Sequence, residues 1–172
     1  MLLRPATAHD IDAITTLHVD SWRRNYRGAL SDAFLDTAAP ANRLQRWTDR
    51  LSVPTGVSAT TVAVEDGRLV GFVHTVFDDD PVDGSLVDNL HVAHDLKRTG
   101  LGTQLMAASA RAVLDRTALL GIYLTVLEQN TSAQAFYEAR GGECVGSEPW
   151  HAPSGDDVTV LRYVWRDPSV LL

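Results

Sequence analysis

Lys97, Arg98, Gly100 and Gly102 fall within a single short segment, and together they can do one kind of chemistry, which is to hold an anion. The segment 90–105 opens as a strand, passes through a loop carrying the two basic residues, and turns at the glycines into an amphipathic helix. A helix entered this way presents backbone N–H groups with no intrahelical acceptor, and glycines let an anion come close to them. The pattern predicts a pocket for a phosphate-bearing ligand. The one thiol, Cys144, rules out an internal disulfide and a cysteine-rich metal site. In its short apolar stretch it reads more readily as a buried small hydrophobe than as a nucleophile.

Spacing separates the glycine motifs. A P-loop needs Gly-x-x-x-x-Gly-Lys followed by Ser or Thr, whereas Gly100 stands two residues from Gly102 and no lysine follows. The dinucleotide fingerprint needs a third glycine where this chain has Leu105, and a first strand of a βαβ unit before it. Neither motif is present, and Gly-x-Gly alone also fits a plain tight turn.

The elements that must position this loop follow from periodicity. Residues 2–6 read as a strand, and Thr7 with Asp10 opens a helix reaching into the 20s, with Ile11, Ile14 and Leu17 at helical spacing. Trp22 and Tyr26 lie one turn apart near its end; they either pack in the core or wall an acceptor cleft. A short helix is predicted over 31–36 and another over 41–51, where Leu44, Trp47 and Leu51 share a face; 52–59, with Pro54, is a connection. Strands at 60–65 and 69–77 flank Asp66-Gly67, a hairpin pair. The acidic loop 78–84 is either solvated surface or an attractor for a cationic amine. A strand at 86–92 leads into the glycine loop. The helix after it carries Leu105, Ala108, Ala112 and Leu119 along one side. A strand over 122–126, a helix over 130–140 closed by Gly141-Gly142, and strands at 143–147 and 158–165 complete a mixed α/β layer fold. A polar loop holding Pro149, Trp150 and His151 joins the last two strands.

At 172 residues the chain suits one domain spanning 1–172, and 45% hydrophobic with 22% charged residues is a globular balance. The net charge of -7 argues against a nucleic-acid partner. No apolar run is long enough to span a membrane and no secretory signal is visible, so the expected location is cytoplasmic.

Beyond the glycines, the wider pattern resembles the GNAT superfamily of acetyl-CoA-dependent N-acetyltransferases over most of the chain. Leu90-His91-Val92 followed by Lys97-Arg98-Thr99-Gly100-Leu101-Gly102 matches the family's first signature, with Lys97 in place of the usual Arg or Gln. Asn130, Ala133, Phe136 and Tyr137 match the second, with Gly142 where an aromatic residue normally follows the glycine. The resemblance implies a central, mixed, mostly antiparallel, splayed sheet flanked by helices on both faces. It implies acetyl-CoA as acyl donor and no metal, held by the main chain of Leu90 and Val92, by Lys97, Arg98, Thr99, Gly100, Gly102 and Thr103 around the pyrophosphate, and by Asn130. Tyr137 becomes the general acid beside the CoA sulfur, and the Val92 N–H polarises the thioester carbonyl.

The implied reaction is direct acetyl transfer to a primary amine of a small molecule within a ternary complex. Ser21-Trp22-Arg23 and Tyr26-Arg27-Gly28 also look like a bacterial branch whose members acetylate polyamines and other small amines, which assigns Trp22 and Tyr26 to substrate. For the base, Asp88 is favoured because period-two alternation puts it on the face of Leu90 and Val92. His91 has a more suitable ordinary pKa but should point the other way, and Glu128 is a third candidate; Thr125 stands where some relatives have glutamate. An acyl-CoA-sensing module without turnover, an acetyltransferase of peptide or protein N-termini, and a structural protein are the other readings. A homodimer is one open state of assembly.

Overall fold

In a computed structural model of the protein, residues 1–53, 55–116 and 121–172 are described. Pro54 and Leu119, assigned above to a connection and a helix face, lie outside the described residues. The chain forms β1 (Leu2–Pro5), a 3₁₀ turn at Ala8–Asp10, α1 (Ile11–Asn25), α2 (Ala39–Ser52), β2 (Ser58–Glu65), β3 (Arg68–Asp80), β4 (Gly84–Val92), α3 (Leu101–Leu114), β5 (Ile122–Leu127), α4 (Thr131–Glu138), β6 (Glu143–His151) and β7 (Asp157–Trp165). The strands make one sheet in the order β1-β2-β3-β4-β5-β7-β6. Each neighbouring pair is antiparallel except β4 with β5.

Local chemistry explains several boundaries. The Asp10 carboxylate accepts from both the Thr7 N–H (2.8 Å) and the Thr7 hydroxyl (3.1 Å), fixing the start of the first helical segment. Asp66 and Gly67 both adopt positive φ, 49° and 78°, as the tight β2–β3 hairpin requires. Helices cover both faces. Phe72 packs edge-on against Trp47 of α2, while a Cβ on its neighbour Gly71 would press on Leu105 and Leu101 of α3, so adjacent residues of β3 face opposite layers.

Five expectations change. Residues 31–36 and 41–51 are not separate helices: a π-helical turn at Phe34–Ala38 runs directly into α2, with Pro40 in the first turn, where no N–H is needed. On α2, Leu44 is 42% exposed, whereas Arg43 is buried over the Trp22 ring. On α3, Ala108 and Ala112 are only half-buried, and the deeper stripe is Leu101, Leu105, Ser109 and Val113. The polar loop after Ser147 is shorter than expected, because Pro149, Trp150 and His151 continue β6, an edge strand where a missing proline N–H is tolerated. The acidic loop is only in part solvated surface: Asp78, Asp79 and Val82 are exposed, but its other carboxylates have partners. Asp80 and Asp83 pair with Arg162 of β7 at 2.9 and 2.8 Å, and the Tyr123 hydroxyl donates to Asp79.

Three imidazoles are buried between α1, α2 and the strands β3 and β4. His18 Nδ1 accepts from Trp47 Nε1 (3.0 Å), His74 Nδ1 pairs with Thr60 Oγ1 (2.8 Å), and His91 Nδ1 pairs with Ser21 Oγ (2.8 Å). Burial holds His18 well below the usual imidazole value and pulls His74 and His91 to about 3; the Arg43, Arg46 and Arg50 charges add to it. All three are therefore neutral in the folded chain at pH 7, while the unfolded chain takes up protons below about 6.5. Their contribution to stability is complete above that value and is lost as pH falls from 6.5 toward 3. The melting temperature should drop steadily between pH 6.5 and 5, a window above the carboxylate range. His74→Gln, which keeps a partner for Thr60, should flatten the slope by about one proton. A melting temperature constant across that window would contradict the neutral assignment.

Candidate functional site

The cleft exists because β4 and β5 pair only at Ser85–Ile122 and Leu86–Tyr123 and then part. The closed end is pinned by two glycines: a Cβ on Gly84 would stand 2.4 Å from the Gly121 oxygen, and one on Gly121 would stand 2.4 Å from the Asp83 oxygen. Beyond that point lies a cleft of about 1210 Å³ between the free edge of β4, the β4–α3 loop, and α4. The main chain of β4 faces it in a defined way. Ala93 N–H donates to Val70 O at 2.8 Å, so Ala93 and Val70 form a hydrogen-bonded pair. By antiparallel alternation Val92 and Leu90, opposite Gly71 and Val73, direct their N–H and C=O groups away from β3 and toward the cleft.

The loop end carries the glycines. Arg98 (φ 67°) and Gly100 (φ 88°) both take left-handed backbone and swing the chain into α3. Gly100 is the N-cap and offers no side chain to the first-turn N–H groups, and a Cβ there would meet no protein atom within 4 Å. Its side toward the cleft is open. Gly102 has a different reason: a Cβ would lie 3.3 Å from Phe136 Cζ, so it lets α4 pack on α3. Lys97, Arg98, Gly100, Gly102 and Thr103 line the cleft. Thr99 does not; its hydroxyl donates to Leu96 O at 2.8 Å and tightens the loop.

Across the cleft, α4 presents Tyr137. The helix is capped by Asn130, whose Oδ1 accepts from Ala133 N–H at 3.3 Å, so this residue both lines the cleft and positions the helix. Gly141 (φ 80°) closes it. Gly142, where an aromatic was expected, has a physical reason: a Cβ would lie 2.6 Å from Trp165 Cζ2, so β7 supplies the aromatic ring instead. Tyr137 packs among Phe136, Tyr163 and Trp165. Burial, and then the Tyr26 phenol, raise its pKa, which keeps the hydroxyl protonated.

The far end departs from expectation at Asp88. His74 pairs with Asn89 but Thr75 pairs with Val87, so Asp88 is an extra residue in a β-bulge. Alternation fails there: Asp88 still lines the cleft, as Leu90 and Val92 do, but its carboxylate turns to α2. Arg50 donates Nη2 to Asp88 and Nη1 to Asn89 Oδ1 (3.0 Å), and Arg46 Nη2 lies 3.9 Å from the same carboxylate. Burial pushes the Asp88 carboxyl up, but the Arg50 charge and hydrogen bond, with His74 and Arg46, outweigh it and hold the group below its ordinary value. His91 does lie on the α1 side, as alternation predicts, with its ring 4.5 Å from that of His18. Thr125 lines the cleft; Glu128 is exposed and does not.

Tyr26 and Trp22 stack at 5.3 Å, yet only Tyr26 reaches the cleft. Burial and the Asp88 charge raise its phenol to about 12. Trp22 is buried behind it against Phe34 and Trp150, so it backs the wall rather than lining it. Cys144 is exposed on β6, contrary to the buried reading. Sequence reasoning missed the α2 arginines, although Arg43, Arg46 and Arg50 follow the same i, i+3, i+7 spacing used to find apolar faces.

Residues 11–142 match the sequence pattern of the Acetyltransferase (GNAT) family. The chain is 26% identical over 173 aligned positions to an uncharacterized N-acetyltransferase, YuaI, of Bacillus subtilis, covering 98% of this chain and 95% of that protein. It is 25% identical to a probable N-acetyltransferase, Rv2775, of Mycobacterium tuberculosis, covering 94% and 91%. In fold it is similar to a GCN5-related N-acetyltransferase from Rhodopseudomonas palustris (TM-score 0.74, 22% identity, 95% and 93% covered). It is also similar to the PaiA N-acetyltransferase of Thermoplasma acidophilum in complex with coenzyme A (TM-score 0.67, 15% identity, 95% and 98% covered). With a sheet parted between β4 and β5, an uncapped helix at the mouth of the opening, and a family match over most of its length, the chain belongs to the GNAT acetyltransferase family.

Proposed function

We propose that the protein is an N-acetyltransferase that moves an acetyl group from acetyl-CoA to the primary amine of a small molecule by direct attack in a ternary complex. The observation that carries this reading is the cleft itself, with inward-facing main chain on one wall, an uncapped helix N-terminus at one end and a buried tyrosine on the other wall. These residues fit the donor. Leu90 and Val92 offer strand-like hydrogen bonds to its amide-bearing arm, and the opening over Gly100 admits a diphosphate to the N–H groups of α3. Lys97 and Arg98 add charge beside it. The thioester supplies an activated acetyl group and a sulfur leaving group.

The chain's own residues then have separate tasks. The Val92 N–H, pointing into the cleft, stabilises negative charge on the carbonyl oxygen as the amine attacks. Tyr137, held protonated, donates to the departing sulfur. Tyr26 walls the acceptor end. Asp88, ionised and paired to Arg50, orders the α2 side rather than collecting the amine proton, and His91 is too weak a base in its buried site. The amine therefore reacts from its own neutral fraction, and the proton it sheds once the C–N bond has formed passes through solvent to the Tyr137 oxygen, replacing the one given to sulfur.

Tyr137→Phe should lower kcat by about a hundredfold or more, within the usual range for loss of a general acid, and leave acetyl-CoA affinity within about threefold. Comparable turnover by CoA release would remove Tyr137 from that role. Gly100→Val places a side chain in the open mouth at a left-handed φ. Calorimetry should show acetyl-CoA affinity falling by about tenfold or more, with a thermal melt reporting that the fold persists; unchanged affinity would refute the pocket assignment. For an alkylamine acceptor of pKa near ~10.4, kcat/KM should climb about tenfold per pH unit from 6.5 to 9. A flat profile there would instead make the ionised Asp88 the base.

A further inference from the structure

Arg43, Arg46 and Arg50 recur at i, i+3 and i+7 on α2 and stand behind the far end of the cleft: none is among its lining residues, but Arg50 and Arg46 reach the cleft-lining Asp88, and Arg43 covers the ring on which the cleft-lining Tyr26 stacks. Arg50 is committed to Asp88 and Asn89, which both line the cleft. Arg46 is half in solvent and reaches the same carboxylate only at 3.9 Å. Arg43 is 8% exposed, with its guanidinium 4.3 Å from the centre of the Trp22 ring. It donates Nε to Asn42 Oδ1 at 3.0 Å and Nη2 to the same oxygen. Among the described residues no carboxylate lies within ion-pair distance of Arg43. The face thus carries three cations and a single carboxylate, which reaches only two of them, in a chain whose net charge is -7.

Such an arrangement is costly by itself. A buried ion without a counter-ion carries a desolvation penalty, and the Trp22 face returns only part of it. Burial and the Arg46 and Arg50 charges lower Arg43 to about 10, which still leaves it charged at neutral pH. The missing partner is an anion. The donor's phosphates do not supply it: they belong at the Lys97–Thr103 loop, and Val92 and Asp88 are four strand residues apart, about 13 Å at ~3.3 Å per residue. The thioester end of the donor carries no charge. What remains is the acceptor, which enters past Tyr26, the residue stacked on the same Trp22 that Arg43 covers.

We propose that the acceptor is a primary amine bearing an oxyanion, a carboxylate or a phosphate, taken by Arg43 and Arg46 while Asp88 and Asn89 hold Arg50 in place. Guanidinium groups match either oxyanion through paired N–H donors. The inference rests on the acetyl-transfer reading and narrows it away from the polyamines expected from the N-terminal likeness, because a polycation meets repulsion at this wall.

The test is CoA release at saturating acetyl-CoA from ω-amino carboxylates and aminoalkyl phosphates of graded length, the carboxamides of the same carboxylates, the matching amino alcohols, and spermidine. Oxyanion-bearing amines should exceed their neutral counterparts in kcat/KM by about tenfold or more, with spermidine the poorest. The better of the two oxyanion series identifies the group. Arg43→Gln should erase the preference through KM at little change in kcat; Arg46→Gln, at an exposed position, should reduce it about threefold without touching the fold. Preference for amides, alcohols or spermidine, a preference unchanged in both variants, or acetyl-CoA binding with no oxyanion-bearing amine turned over would each overturn the inference while leaving the donor pocket standing. Failure of acetyl-CoA to bind by calorimetry would overturn the acetyl-transfer reading itself, and this inference with it.

Discussion

The parting of β4 from β5 is the constraint on which the rest of the site depends. A strand inside a sheet normally has both edges paired, because unpaired backbone N–H and C=O groups cost free energy away from water. Here two pairs form and then the edge of β4 from Val87 onward is released. The parallel pairing requires a crossover between the two strands, and α3 is that crossover. Its N-terminus consequently sits at the open mouth, and α4, following β5, sits against the other wall. One topological fact thus sets the exposed main chain, the uncapped helix and the tyrosine around one space.

The β-bulge at Asp88 is the second determinant, and it acts on chemistry rather than on shape. Without it, alternation would put Asp88 on the side of Leu90 and Val92. With it, the carboxylate turns to α2 and is neutralised by Arg50. The two ends of the cleft then acquire positive character by different means. At the mouth it comes from backbone dipoles and a left-handed loop. Behind the far end it comes from guanidinium groups lying over buried indoles, Arg43 on Trp22 and Arg50 on Trp47. Dipoles suit a diphosphate that approaches the main chain closely, whereas side chains reach toward a ligand of variable length.

Much of the framework was legible in the sequence because its signals are local. Asp66-Gly67 specifies a turn by its own φ requirements, Thr7 and Asp10 specify a helix start, and Gly100-x-Gly102 marks an approach to a helix N-terminus. The order of strands and helices follows from such signals. What escaped were features set by tertiary contact. A one-residue bulge leaves no mark in the sequence, so the face of Asp88 was misread. Leu44 and Arg43 exchange their expected burial because the Trp22 ring rewards a stacked guanidinium, something an apolar pattern does not register. Gly142 looked like a lapse from the family's motif until Trp165, from a strand 23 residues later in the chain, accounted for the space. The three buried imidazoles likewise find Trp47, Thr60 and Ser21 across distances in sequence that spacing rules do not span.

A sheet opened along most of one strand pair must be held together elsewhere, and two ladder pairs are a thin connection for the two halves. The Gly84–Gly121 contact sets the closest approach but supplies little attraction. Arg162 supplies more. From β7 it reaches over the Tyr123 ring of β5, 3.9 Å from its centre, to Asp80 at the end of β3 and Asp83 in the turn before β4, with Glu148 of β6 at 3.5 Å. This partly buried network joins β3, the turn into β4, β5, β6 and β7 at the apex of the opening, where β4 and β5 begin to part. The acidic run that looked like solvated surface is therefore part of the same device as the cleft: it closes one end of the strand pair so that the other end can stay open.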